Sequence, residues 1–339
     1  MKILGIDTSC DDTAIALLRA EGSEFEILSN IVSSQVELHK KYGGVYPFLA
    51  KREHQKNLPV VFKKSLGRRK PEEIDAIAVT SGPGLEPCLW QGINFAVDLA
   101  EKLKKPLMPV NHIEAHILAN FIERDLESVK MPAVCLVVSG GHTSLFLMKK
   151  IGRYQLIGET RDDAAGECFD KVARILGMGY PGGPLIAKAA AEFNSKKSSV
   201  ELPRPMIHQK NYNFSFSGLK TAVLYNYKSQ PSKVRKSKEY IREMAFETQE
   251  AIIDVLLYKT LKAARNFKAK TVMIGGGVAA NEELRKQFKE KINSEGMSFS
   301  VPSGKFCTDN GVMIALTAYL SPKRVMDFKK LKAEGNLNI

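Results

Sequence analysis

No C-x-x-C pair occurs among the five cysteines, Cys10, Cys88, Cys135, Cys168 and Cys307, and their number is odd. That pattern excludes zinc ribbons and dithiol redox centres and points to reduced thiols in a cytosol. No uninterrupted apolar run reaches the about 18 residues that a membrane span requires. The opening MKILGIDTSC has neither the apolar stretch nor the small-residue cleavage site of a secretory leader, because Asp7 interrupts it. A cytoplasmic protein without membrane attachment is therefore expected. Also missing are the phosphate-binding string G-x-x-x-x-G-K-[ST] and the dinucleotide fingerprint of a Rossmann turn.

What is present is globular. The 339 residues are 44% hydrophobic and 26% charged, enough chain for two domains of ordinary size. Fifty basic residues against 37 acidic ones leave a formal charge of +13, which favours a polyanionic partner, nucleic acid being the commonest. The excess is clustered in Lys63, Lys64, Arg68, Arg69 and Lys70, in Lys228, Lys233, Arg235, Lys236 and Lys238, and in Lys259, Lys262, Arg265, Lys268 and Lys270. A lysine-rich solvated surface is the competing reading, and no aromatic ladder accompanies these runs.

Apolar runs at 2–7 and 13–19, separated by TSCDD, read as strand, tight turn and strand, with a third strand over 25–32. A polar helical stretch over 33–66, a buried strand at 75–80, a turn at 81–84, a helix over 88–104 and a strand at 107–110 follow. The second half repeats the scheme. Strands at 133–138 and 144–149 flank SGGHT, and a strand at 271–274 runs into Gly275–Gly277 before a helix that opens near Asn281. A last helix starts near Asn310. The chain reads as a duplicated α/β protein, with a Pro-, Ser- and Lys-rich insertion over about 178–235 in the second copy. Two such halves facing each other across a cleft commonly grip a nucleotide at the carboxyl ends of their strands.

Asn111–His116 reads NHIEAH. A step of four residues passes a full helical turn by about 40°, so His112 and His116 leave one face together, as a pair of metal ligands does. In the zinc-protease string H-E-x-x-H the general base follows the first histidine directly. Here Ile113 stands there, and Glu114 points about 200° away from His112, too far to serve. A capped or solvated histidine pair is the alternative. Asp309, in CTDNG, is either a helix N-cap or the carboxylate that completes a two-histidine, one-carboxylate set suited to iron(II) or catalytic zinc. Asp170 reads as lying at the start of a helix. The turns at 7–12, 139–143 and 275–281 lie in corresponding places of the two halves. The SGG backbone N–H groups suit an oxyanion or phosphate.

Together these strings resemble one family, the TsaD tRNA N6-adenosine threonylcarbamoyltransferases, formerly read as O-sialoglycoproteases. The matching strings are GIDTSCDDTAIA (5–16), SQVELHKKYGGVYP (34–47), SGPGL (81–85), NHIEAH (111–116), LVVSGGHTSL (136–145), DDAAGECFDKVARILG (162–177), YPGGP (180–184), FSFSGLKTAV (214–223), GGGVAANEELR (275–285) and FCTDNGVMIA (306–315). They span nearly the whole chain in order. Asp7 and Asp12 stand where many bacterial relatives carry Glu, and Ala187 where some carry an acid.

The resemblance implies ribonuclease-H-like halves forming two lobes around a cleft, the fold of actin, sugar kinases and heat-shock ATPases. Residues 1–116, completed by C-terminal helices over about 310–339, would form one lobe and residues 117–309 the other. It implies one divalent metal, iron(II) before zinc(II), on His112, His116 and Asp309. It further implies that the backbone loop Val137, Val138, Ser139, Gly140 and Gly141, with Asp170, Gly183 and Asn281, holds threonylcarbamoyl-adenylate. The acceptor is the adenosine at tRNA position 37 in the anticodon arm, and the partners are a TsaB-like paralogue and a small TsaE-like ATPase. Asp11 is the candidate proton acceptor or positioning group. A kinase of the same fold is the competing reading, but magnesium prefers oxygen ligands and gives no reason for two helical histidines. A partner-docking scaffold has no need of a metal site at all.

Overall fold

The computed structural model describes residues 1–195, 198–323 and 328–339. The chain forms two compact units, one of residues 1–128 with 302–339 and one of residues 129–301. The dividing points thus fall at 128/129 and 301/302 rather than at 116/117 and 309/310.

The first unit opens with β1 (Lys2–Asp7), β2 (Asp12–Glu21) and β3 (Glu24–Ser34), an antiparallel meander paired in the order β1–β2–β3. A single helical turn, α1 (Val36–His39), leads to α2 (Pro47–Leu66). Then come β4 (Ala76–Gly82), α3 (Glu86–Leu103), β5 (Leu107–Asn111) and α4 (His112–Leu118). β4 and β5 pair parallel beyond β1, giving the sheet order β3-β2-β1-β4-β5. β1 and β4 bury nearly every residue because helices cover both faces of the sheet, as parallel strands require.

The second unit repeats the scheme. β6 (Ala133–Val138), β7 (Thr143–Lys150) and β8 (Arg153–Glu159) form the meander. α5 (Ala165–Ile175), α6 (Gly182–Ala191), α7 (Ser217–Ser229), α8 (Ser232–Arg235) and the long α9 (Lys238–Asn266) follow. β9 (Thr271–Gly275), α10 (Glu282–Ser294) and β10 (Ser298–Ser300) complete a sheet of order β10-β9-β6-β7-β8. Both sheets therefore place an antiparallel meander on one side of the first strand and two parallel strands on the other. The duplication read from the sequence is real, and the fold is α/β with two ribonuclease-H-like sheets. The insertion region holds α6, α7 and α8 joined by irregular chain; its residues 196–197 lie outside the described residues.

The chain then returns to the first unit as α11 (Gly311–Leu320), whose sequence GVMIALTAYL is apolar on every side. It packs on β1 and β2. Two glycines permit that approach: a Cβ on Gly5 would sit 2.1 Å from the Gly311 carbonyl oxygen, and one on Gly311 would sit 2.3 Å from the Ala16 nitrogen. The expected C-terminal helices end there. Residues 328–330 form a 3₁₀ turn and 331–339 carry no α-helix, while 324–327 lie outside the described residues. The tail instead caps strand ends: Glu334 N donates to the Ser81 carbonyl at 2.8 Å and Gly84 N donates to the Gly335 carbonyl at 3.1 Å.

Candidate functional site

In the first unit, His112 is positioned by its neighbour. β5 ends at Asn111, whose Oδ1 accepts from the backbone N–H of Ile113 (2.9 Å) and Glu114 (3.0 Å), satisfying two amides that α4 leaves unpaired. Asn111 Nδ2 donates to the carbonyls of Leu337 (3.4 Å) and Asn338 (3.2 Å), so the tail fixes the cap. His112 and His116 then stand one turn apart on α4 with ring centroids 4.5 Å apart, and are only 6% and 1% exposed.

Asp309 completes the cluster. The N-cap of α11 is Asn310, whose side chain accepts from Met313 N at 2.9 Å, so Asp309 is not the cap. Its Oδ1 lies 3.4 Å from His112 Nε2 and 3.3 Å from His116 Nε2. One donor atom from each of the three residues lies within 4.8 Å of the others. Two ligands about 2.1 Å from one tetrahedral ion stand about 3.4 Å apart, so these separations are those of a coordination shell. They are long for hydrogen bonds. Both ring nitrogens of His116 are buried without a hydrogen-bond partner among the described residues, an arrangement that is costly unless something else engages them. The residues present fit a metal ion.

Two further residues join them. Asp7, fully buried at the end of β1, has Oδ2 3.5 Å from His112 Nδ1. Ser9 Oγ lies 3.4 Å from His112 Nε2, and its one proton can go to Asp7 Oδ2 at 3.3 Å or to Asp309 Oδ2 at 3.4 Å. A carboxylate beside the far nitrogen of a ligating imidazole fixes its tautomer and raises its basicity. Burial opposes a charge on His112, but the Asp7 and Asp309 carboxylates outweigh it and raise its pKa to about 10. For His116 burial, and then the charge on His112, lower it. Burial likewise opposes a charge on Asp309, yet the His112 charge holds it well below the usual carboxylate range. The cluster as a whole calls for positive charge. Glu114 is buried with its carboxylate 3.9 Å from Lys323 Nζ, in a role apart from the histidine pair.

The turn carrying Asp11 is clamped by an imidazole that sequence reasoning passed over. His54, on α2 and fully buried, donates from Nε2 to the Cys10 carbonyl at 2.9 Å. Its Nδ1 therefore accepts from Thr13 Oγ1 at 2.8 Å. The two bonds bracket Asp11 and Asp12. Burial raises the pKa of Asp11, the Cys10 thiol pulling against it, and Oδ2 of Asp11 accepts no hydrogen bond among the described residues. Burial pushes Asp12 up to about 7.

In the second unit, Val137 and Val138 belong to β6 with fully buried side chains, so the loop proper is Ser139–His142. Ser139 N donates to the His142 carbonyl at 2.8 Å and His142 N to Ser139 Oγ at 3.1 Å. That leaves the amides of Gly140 and Gly141, where an added Cβ would meet nothing within 4 Å. Asp170 lies in the middle of α5, not at its start, because α5 begins at Ala165 under a Thr143 cap (Ala165 N to Oγ1, 2.9 Å). Its Oδ1 accepts from Gly182 N at 2.6 Å, capping α6 beside Gly183. Asn281 caps α10 (Leu284 N to Oδ1, 2.9 Å), and its Nδ2 donates to Gln249 Oε1 at 2.8 Å. The FSFSG string anchors on Asp162, which accepts from the hydroxyls of Ser215 and Ser217 at 2.6 Å each.

The basic runs differ in availability. Lys259 is buried with Nζ donating to the Asn211 carbonyl, Lys262 donates to the Gln209 and Lys210 carbonyls, and Arg265 pairs with Glu295. The third run is therefore largely occupied within the fold. Aromatic residues do accompany the second, since the Arg235 guanidinium lies 5.3 Å from the Tyr227 ring and Tyr225 is exposed.

Residues 26–316 match the family model of TsaD, tRNA N6-adenosine threonylcarbamoyltransferase. The chain belongs to that family. Among family members, the Thermosipho africanus tRNA N6-adenosine threonylcarbamoyltransferase is 46% identical over 342 residues, covering 100% of both chains. The Thermosipho melanesiensis and Syntrophomonas wolfei enzymes of the same name are 48% and 47% identical over 341 and 320 residues, covering 100% and 94% of this chain and 100% and 91% of theirs. Two solved structures at low identity show the fold alone. HypF of T. kodakarensis superposes with TM-score 0.58 at 14% identity, over 95% of this chain and 47% of that one. Component A of the Acidaminococcus fermentans (R)-2-hydroxyglutaryl-CoA dehydratase gives 0.54 at 17%, over 94% and 98%. In this TsaD member, then, the histidine pair, Asp309 and the Asp11 turn all lie in the first unit, and the Ser139 loop, Asp170, Gly183 and Asn281 in the second.

Proposed function

We propose that this chain transfers the threonylcarbamoyl group of threonylcarbamoyl-AMP to N6 of the adenosine at tRNA position 37 and releases AMP. Family membership supports the reaction class, and the observation that carries the chemistry is the His112–His116–Asp309 cluster, whose two histidines are buried. These three residues hold one divalent cation, iron(II) before zinc(II), since two imidazoles and one carboxylate leave coordination positions open. When bound, the ion supplies a Lewis acid that makes the carbamoyl carbonyl more electrophilic.

The protein's own groups do the rest. Adenine N6 is a weak nucleophile, so position and proton removal decide the rate. Asp11 takes the N6 proton; its raised pKa makes its carboxylate a stronger base. The new N6–carbon bond forms as the carbon–oxygen bond to phosphate breaks, and AMP leaves with that electron pair. The Gly140 and Gly141 amides hold the phosphate as its charge grows. His54 holds the Asp11 turn in place, and Asp7 and Ser9 orient His112. The basic runs at 63–70 and 228–238 bind the anticodon arm through its phosphates. A TsaB-like paralogue and a TsaE-like ATPase are the protein partners, in the cytoplasm.

The test is nucleoside mass spectrometry of total tRNA from cells whose only copy carries His112→Ala and His116→Ala. Loss of threonylcarbamoyladenosine, restored by the wild-type gene, is expected. Undiminished modified nucleoside, with the variant folded and expressed, would refute the proposal.

A further inference from the structure

The segment between α1 and α2 exposes aromatic rings that the fold does not use. Tyr42, Tyr46 and Phe48 are 54%, 51% and 66% exposed, in a molecule whose other large rings are mostly covered. The Tyr42 and Tyr46 rings stack on one another, centroids 5.6 Å apart and planes 23° from parallel. The Lys41 ammonium lies 5.1 Å from the Tyr42 ring centroid.

The flanking sequence carries a net positive charge. Between Val36 and Lys56 stand five cations (Lys40, Lys41, Lys51, Arg52, Lys56) and two acids (Glu37, Glu53), a net of +3. The two acids pair with Lys40 and Lys56. Lys41, Lys51 and Arg52 form no ion pair among the described residues. The platform is also tied to the Asp11 turn. Tyr46 N donates to His39 Nδ1 at 3.3 Å, and the buried His39 ring is close enough to Asp11 for each to shift the other's titration.

We infer that Tyr42 and Tyr46, with Lys41, form a stacking platform for an unpaired RNA base adjoining the adenosine that reaches Asp11. Flat rings beside unpaired cations match what single-stranded RNA offers, a π-face on every base and a phosphate on every link. Because the two rings already support each other, a third ring adds to the stack with little further ordering of side chains. An apolar protein partner is a poorer match for a tyrosine pair with an ammonium 5.1 Å from one ring and a net positive charge in the flanking sequence. The inference rests on the reading of tRNA as substrate and names which surface of the first unit receives it.

The test uses the full chain and a 17-nucleotide anticodon stem–loop carrying 2-aminopurine immediately 3′ of the target adenosine. Stacking quenches this base. Tyr42→Ala with Tyr46→Ala is expected to abolish the quench and weaken binding about tenfold to a hundredfold, from typical base–aromatic stacking energies. Tyr42→Phe with Tyr46→Phe should retain both, and Lys41→Gln should flatten the salt dependence by about one phosphate contact. Wild-type quench and affinity in the alanine variant would overturn the platform, as would equal loss in the phenylalanine variant. So would an alanine variant that keeps RNA binding but loses association with a second polypeptide, since the surface would then be a protein interface. Failure of the function reading looks different: the wild-type chain would neither bind the stem–loop above a scrambled hairpin nor show a quench.

Discussion

Gly311→Ala is the perturbation that ties fold to site most directly. The new methyl would begin 2.3 Å from Ala16 N, 2.7 Å from Ile15 C and 2.8 Å from Gly5 O, all backbone atoms of paired strands. Strand backbone inside a sheet cannot move aside, so the start of α11 must lift. Bringing 2.3 Å to an ordinary contact of about 3.4 Å takes a shift of about 1 Å, with a cost of about 1–3 kcal/mol for an overpacked core. For a protein of this size each kcal/mol lowers the melting temperature by about 2–4 °C. The larger effect falls on Asp309, two residues before the glycine. Its oxygen is one of three donors that must hold their places within about 0.2 Å for an ion to be bound well. Metal affinity is therefore expected to fall at least about tenfold to a hundredfold, the range seen when only supporting residues of a metal site are lost. Equilibrium dialysis with iron(II) or zinc, read by elemental analysis, measures this beside a thermal melt. Gly140→Ala, whose methyl meets nothing within 4 Å, is the control. Wild-type metal affinity in Gly311→Ala would show that the glycine pair does not place Asp309.

Three further outcomes are expected. Iron(II) or zinc at about a hundred times its dissociation constant should stabilise the wild type by about 2.7 kcal/mol and leave Asp309→Ala unmoved, as a thermal shift assay will show. His54→Ala removes both bonds that bracket Asp11 and should lower kcat about tenfold or more while bound metal stays constant; a parallel loss of metal would place His54's effect on the ligand set instead. Lys259 is buried with its pKa lowered to about 8, by burial first and then by Lys262. Below pH 8 both folded and unfolded chains carry this proton. Between about 8 and the unfolded value of about 10.4 only the unfolded chain does, so this group makes stability rise with pH across that window. Denaturant midpoints at pH 7.5 and 9.5 should therefore converge on those of Lys259→Met from below, and parallel curves would refute the assignment.

The sheet was legible because alternation and apolar runs mark strands that helices must cover. β1, β2, β3, β4, β5, β6, β7 and β9 fall where the sequence pattern puts them, and the two histidines were legible because a helix converts a four-residue step into one face. The carboxylate was not legible by the same logic. In TDNGV either Asp309 or Asn310 could cap the helix, and only the packed structure shows that Asn310 does, which releases Asp309. Asp170 was misplaced because α5 starts five residues earlier, under a cap from Thr143 that no local rule connects to it. His39 and His54 hid in a polar helical stretch, since no local pattern marks their burial, which for His54 comes from the packing of α2 on β2. The tail was read as helix, whereas its backbone closes the ends of β4 and β5.

In the proposed reaction the two repeats take different roles. Each unit turns from its first strand to its second through four residues, 8–11 in one and 139–142 in the other. The topology is the same and the side chains are opposite. The first turn is framed by Asp7, Asp11 and Asp12, whose crowded carboxylates resist further negative charge; burial and their neighbours push Asp12 up to about 7. A phosphate is repelled there and a cation is drawn in, and the two histidines and Asp309 stand ready beside it. The second turn has no carboxylate, and glycines at 140 and 141 bare its amides. There a phosphate meets bared amides and no like charge. In the proposed reaction the labour divides accordingly, with metal and proton transfer assigned to the side chains of the first unit and the departing phosphate to the amides of the second. Exchanging Gly140 for Asp should therefore abolish adenylate binding through like-charge repulsion while leaving metal affinity in the first unit unchanged.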